Sequence, residues 1–136
     1  MKTTKFLYLL LASVLLASCV ANVSSTKPAK QAPRVDSKAI DFNTLGSLLS
    51  DPASNVLLLD VRTIEEYADG HIPGSVLKPY DEIAASFAEA DTSRPIAVYC
   101  RSGRRSAIAV ETLLAMGYTN VSDLGGITGW KGPLEK

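Results

Sequence analysis

The chain has 136 residues, room for one domain. Fourteen basic side chains balance fourteen acidic ones, and nothing in that balance suggests a nucleic-acid binder. The basic residues gather at 101–105, a footprint that fits a small anion better than a polyanion.

Met1 to Lys5 carries two lysines, and Phe6 to Leu16 is an apolar run broken only by Ser13. That run is too short for a comfortable membrane span and has the layout of an export signal. It ends in Leu16-Ala17-Ser18-Cys19, which resembles the lipobox of bacterial lipoproteins. The resemblance implies a signal over 1–18 and a lipid on Cys19, which becomes the mature N-terminus. Val20 stands where an aspartate would favour inner-membrane retention, so the resemblance points to the inner face of the outer membrane. Residues 21–38 are rich in Ser, Pro, Ala and Lys, without apolar periodicity. They read as a tether, giving a linker over 19–38 and a domain over 39–134.

Within the domain, Ile40-Asp41-Phe42 reads as a short strand or the domain's opening. Asn43 can cap a helix running to Ser50, with Leu45, Leu48 and Leu49 inward. Val56 to Asp60 is continuously apolar up to its last residue, the mark of a strand buried on both faces. Thr63 and Glu66 have capping-box spacing, and the helix they open should end near Gly70. His71 to Gly74 is a turn and Ser75 to Leu77 a short strand. Tyr80 to Ala90 is helix-like, with Ile83, Ala84 and Phe87 on one face. A strand follows at 95–99, then a helix at 106–116 with Ala107, Val110, Leu113 and Leu114 toward the sheet and Gly117 as cap. Asn120 to Leu124 is the last strand, and Gly125 to Trp130 a turn with a short helical piece. Strands alternate with helices, so the expected architecture is α/β, a mostly parallel sheet with helices on both faces.

Cys100 stands where a buried strand stops and a helix is about to start. Ligands collect at such carboxyl ends, and Asp60 stands at another. The residues that follow, Arg101-Ser102-Gly103-Arg104-Arg105-Ser106, form a loop whose N–H groups can converge on one point ahead of a helix N-terminus. An isolated cysteine is ordinarily a core residue. A core cysteine needs no glycine and three arginines beside it, and those arginines are costly to pack away. A free thiol has pKa ~8.5. Making it mostly thiolate at neutral pH takes ~3–4 kcal/mol. Two or three N–H bonds at ~1.5–3 kcal/mol each supply that, which leaves the arginines free to attract an anionic substrate. With Cys19 given to lipid, Cys100 has no partner thiol in the chain, and a Cys-x-x-Cys oxidoreductase is excluded. No set of Cys, His and carboxylates has metal spacing, and no cofactor is called for.

Four stretches together resemble the single-domain rhodanese (thiosulfate sulfurtransferase) family, over roughly Ile40 to Trp130. They are Leu59-Asp60-Val61-Arg62 with Glu66, Gly70-His71-Ile72-Pro73-Gly74-Ser75, the Tyr99-Cys100 loop, and Leu124-Gly125-Gly126 with Trp130. The resemblance implies a rhodanese-like three-layer domain and a ping-pong cycle through a persulfide on Cys100. It implies that the amides of Arg101, Ser102, Gly103, Arg104, Arg105 and Ser106 cradle the transferred sulfur. The guanidinium groups of Arg101, Arg104 and Arg105 would orient the sulfonate of thiosulfate. The acceptor would be cyanide or a thiol, and the protein a monomer. Ser102 donates to the anion or simply caps. Asp60 and Arg62 read as a structural pair near the site, His71 as a brace in its turn rather than a base, and Trp130 as a packing anchor. Two rivals stand beside turnover. One is a tethered persulfide carrier or redox sensor. The other is a cysteine-dependent phosphatase or arsenate reductase; the phosphatases carry Cys-x5-Arg, and Ser106 occupies the place of that arginine. Here the spacing is Cys-x4-Arg, a tighter cradle suited to one sulfur atom.

Overall fold

A computed structural model of the chain describes residues 39–136. The signal-type segment 1–18, Cys19 and the tether 19–38 lie outside the described residues. Four strands form one sheet: β1 (Leu57–Asp60), β2 (Val76–Leu77), β3 (Ile96–Cys100) and β4 (Val121–Gly126). Their order is β2-β1-β3-β4, and every pairing is parallel. β1 and β3 are the inner strands, so their residues are covered on both faces; all five residues of β3 are buried. This is the continuous apolar pattern expected of parallel strands.

Alternate residues serve two cores. Leu59, Val98 and Cys100 join Ile83, Ala109 and Leu113 on one face. Leu58, Ala97 and Tyr99 join Leu45 and Ile72 on the other, with Phe42 and Trp130 packed against them. Of the helices α1 (Phe42–Ser50), α2 (Ile64–Asp69), α3 (Ile83–Ser86) and α4 (Arg104–Ala115), α3 and α4 pack on the first face and α1 on the second, while α2 has no buried residue. The three-layer α/β expectation is borne out.

Local signals performed unevenly. Thr63 and Glu66 form the expected capping box, and Gly70 ends α2. At α1 the cap is Asp41, not Asn43. Its carboxylate accepts from Thr44 N–H at 2.8 Å, and Thr44 Oγ1 accepts from Asp41 N–H at 3.1 Å. Ile40 to Phe42 is therefore no strand. The helix expected over 80–90 shrinks to Ile83–Ser86, because Glu82 makes no side-chain cap bond and Phe87 turns extended. The Phe87 ring then meets Tyr118 edge-on at 5.3 Å, while Ala84 is exposed. α4 starts at Arg104, two residues earlier than expected, since Gly103 at φ +100° is its N-cap. Its buried stripe is Ser106, Ala109 and Leu113; Ala107 and Leu114 face solvent. The stripe is rotated because Ser106 must lie against Cys100. α4 ends as expected at Gly117, φ +97°, with Tyr118 N–H on Leu113 O and Gly117 N–H on Leu114 O, both 3.1 Å, a Schellman closure.

Candidate active site

Cys100 is the last residue of β3, paired with Gly126 of β4. Three residues later the chain reverses at Gly103, whose N–H donates to Cys100 Sγ at 3.0 Å. A side chain at φ +100° is strained, so glycine makes this turn accessible. Burial pushes the Cys100 thiol up; the N–H groups of Ser106, Ser102 and Gly103 outweigh it, and the net direction is down. The thiolate is favoured mainly by main-chain donors. Cys100 itself is 0% exposed. A donor reaches Sγ only with movement of surrounding groups.

The turn rests on the end of β4. A Cβ on Gly126 would lie 2.9 Å from Arg101 O and 3.2 Å from Ser102 Cα. Only a glycine lets the strand and the loop approach so closely. Ser106 is buried, and its hydroxyl donates to Gly103 O at 2.8 Å, closing the turn from the helix side. Ser102 is exposed.

The three arginines part company. Arg105, expected to orient a sulfonate, instead grips Glu66 with both terminal nitrogens, at 2.7 and 2.8 Å. Glu66 Oε2 also accepts from Thr63 N–H at 3.1 Å. The Arg105 guanidinium first, with the Thr63 N–H adding to it, holds the Glu66 carboxyl at about 2. Arg101 and Arg104 are exposed, and among the described residues neither makes an ion pair.

Asp60 and Arg62 form the structural pair the sequence suggested. Arg62 donates to Asp60 at 2.6–2.9 Å and to Gly70 O at 2.8 Å. The guanidinium carbon lies 5.6 Å from the centre of the Tyr99 ring. Tyr99 OH in turn accepts from Ile72 N–H at 3.1 Å and shares a hydrogen bond with Ser75 Oγ at 3.0 Å. Burial pushes the Tyr99 phenol upward, so it stays neutral. The strand that presents Cys100 is thereby fastened to the 70–75 turn. His71 stacks on Tyr67 at 3.6 Å, and its Nδ1 bonds Tyr67 O at 3.0 Å. Both contacts hold the turn, in line with a bracing role. Trp130 packs in the second core with Phe42.

Sequence reasoning missed Glu66 as the partner of Arg105, Tyr99 as a tie, and Gly126 as a platform. Only Gly126 left a signal, the Gly-Gly pair itself. A cavity of about 640 Å3 opens beside Val56, Pro95 and Asn120. These lie at the amino ends of the strands, away from the thiol.

The chain matches the family described as the Rhodanese-like domain over residues 43–133. It is 40% identical over 92 residues to a protein named "Sulfurtransferase" from Allochromatium vinosum, covering 67% of this chain and 85% of that one. It is 39% identical over 71 residues to Thiosulfate sulfurtransferase PspE of Escherichia coli, covering 51% and 68%. Among solved structures, the Alr3790 protein of Anabaena superposes with TM-score 0.65 at 33% identity, over 71% of this chain and 81% of that one. A structure described as a rhodanese with anions from E. coli gives TM-score 0.56 at 36% identity, over 60% and 98%. A fold of parallel strands ending in a thiol caged by main-chain donors, matched over these lengths, identifies the chain as a member of the rhodanese-like domain family, whose similar proteins include named sulfurtransferases.

Proposed function

We propose that this domain transfers sulfane sulfur from thiosulfate or a similar donor through a persulfide on Cys100. The observation that carries the reading is Cys100 Sγ at the end of β3, accepting the Gly103 N–H at 3.0 Å. In the first half-reaction the Cys100 thiolate attacks the outer sulfur of thiosulfate. The S–S bond of the donor breaks, and sulfite leaves with the bonding pair. In the second, cyanide or a thiolate attacks the outer sulfur of the Cys100 persulfide, and the Cys100 thiolate leaves with the electron pair. Both Cys100 states are anions, so one cage of main-chain donors serves both. The short Cys-x4-Arg spacing and the engagement of Arg105 with Glu66 weigh against a phosphatase or arsenate reductase.

Thiocyanate release from thiosulfate and cyanide tests the proposal. The wild type should turn over many times and Cys100→Ser not above background; equal background in both refutes it. A carrier reading finds support in one relative, named "Putative sulfur carrier protein YrkF", 39% identical over 87 residues and covering 46% of that protein. A mass increase of about 32 Da on Cys100, the persulfide mark, with negligible turnover would favour the carrier.

The lipobox-like Leu16-Ala17-Ser18-Cys19, followed by Val20, supports an exported, membrane-tethered form on the inner face of the outer membrane. Incorporation of labelled palmitate that Cys19→Ala abolishes is the expected outcome; labelling unchanged in that variant removes the tether.

A further inference from the structure

Resting on the sulfur-transfer reading, we infer that Glu66 withholds Arg105 from the substrate and leaves Arg101 and Arg104 as the cations that meet the anionic end of the sulfur donor. The case begins with geometry. Arg105 offers two terminal nitrogens, and both bond the Glu66 carboxylate, at 2.7 and 2.8 Å. Its side chain is 19% exposed and that of Glu66 25%. The carboxylate is itself held by the Thr63 N–H at the start of α2. A fork–fork pair of this kind is the strongest ordinary side-chain contact. To bind a sulfonate, Arg105 would have to leave it. Glu66 would then stand unpaired next to an incoming dianion, and like charges in a half-buried setting repel.

The two remaining arginines differ in every respect. Arg101 follows Cys100 directly and Arg104 opens α4. Both are exposed and neither is in an ion pair among the described residues. The charge count agrees. Arg105 with Glu66 sums to zero, as does Arg62 with Asp60. The two exposed guanidinium groups supply two positive charges beside the Cys100 thiolate, a field that favours a dianionic donor such as thiosulfate. A donor without an anionic end would gain nothing from them. The pair Glu66–Arg105 therefore acts on specificity by subtraction.

The test compares a neutral replacement of the pair, Glu66→Gln with Arg105→Met, against Arg101→Ala and Arg104→Ala. Two readouts are taken: the KM for thiosulfate, and the protection of Cys100 from iodoacetamide by sulfite, which binds without turnover. The paired replacement should leave both within about twofold. Each of the other two should raise KM and weaken protection by about fivefold or more, with kcat changed far less. An equal rise in KM for the paired replacement and for Arg104→Ala overturns the assignment, as does no change in Arg101→Ala and Arg104→Ala. Should the paired replacement not fold, Arg105→Lys decides. It keeps the charge opposite Glu66 but loses the planar fork, so an unchanged KM supports the inference and a rise like that of Arg104→Ala refutes it. If the wild type shows no turnover, the sulfur-transfer reading fails, and sulfite protection still decides which cations hold the anion.

Discussion

At the residue scale, Glu66 is the most instructive side chain. Its sequence position marks a capping box, and it fills that role with the Thr63 N–H. It also meets Arg105, 39 positions away. The Arg105 guanidinium is the main cause that holds its carboxyl at about 2, against an ordinary 4.5. A carboxyl depressed in the folded state stabilises the fold fully above its unfolded pKa. That contribution is lost as pH falls from about 4.5 toward about 2. The full shift would amount to ~3 kcal/mol; solvent screening of a partly exposed pair reduces this to about 1–2 kcal/mol. Glu66→Gln should thus be less stable than the wild type by that amount at pH 7 in urea denaturation. The gap should narrow between pH 4.5 and 2.5. A gap of the same size at both ends would show that shape, not charge, is what the substitution removed.

At the element scale, the site is a junction of β3, β4 and α4. The two glycines that end β4 act differently there. Gly125 has φ +79° with nothing within 4 Å of a Cβ; Gly126 has no such backbone demand but faces Arg101 O at 2.9 Å. Gly125→Ala should cost about 1 kcal/mol of stability through backbone strain and leave the Cys100 turn in place. Gly126→Ala should push Arg101 and Ser102 outward and misalign the Gly103 N–H. Its expected effect is a fall in sulfur transfer of tenfold or more, an order-of-magnitude figure for losing one oriented donor. The rate of Cys100 alkylation near neutral pH should fall with it. Matched kinetics in the two variants would mean that the β4 platform does not position the turn. The Asp41 and Thr63 caps, by contrast, act within their own helices.

Across the whole molecule, two cores on opposite faces of one sheet keep β3 in place. A C-terminal segment then braces the turn beside it. Glu135 exchanges main-chain hydrogen bonds with His71, at 2.9 and 3.0 Å. Its carboxylate accepts from Gly74 N–H at 3.1 Å. Trp130 Nε1 donates to Pro133 O at 3.0 Å. The folded region thus reaches Glu135, past the boundary at 134 that the sequence suggested. Deleting residues 133–136 should lower stability by about 2–3 kcal/mol, the sum of a few net hydrogen bonds, seen as a lower thermal midpoint. Because Tyr99 binds the same 70–75 turn, the loss should also raise the exchange rate of the Ile72 amide. An unchanged midpoint would show that the tail merely lies on the surface.

The sequence by itself determined whatever acts over a few positions. That includes the apolar runs of β1 and β3, the Thr63–Glu66 box, the Gly117 closure, and a cysteine placed between a buried strand and a helix. Periodicity, caps and turn chemistry are local, and so they can be read in order along the chain. The weak segments misled: Tyr80 to Ala90 has a helical pattern but no cap, and packing of Phe87 on Tyr118 won over propensity. Only the tertiary structure decided which arginine is engaged, which glycine supports the turn, and how α4 is rotated. Each depends on partners from other elements: Glu66 for Arg105, Arg101 O for Gly126, and Cys100 for Ser106. Such contacts are set by strand register and by the angle at which a helix settles on the sheet. No spacing within one segment encodes them.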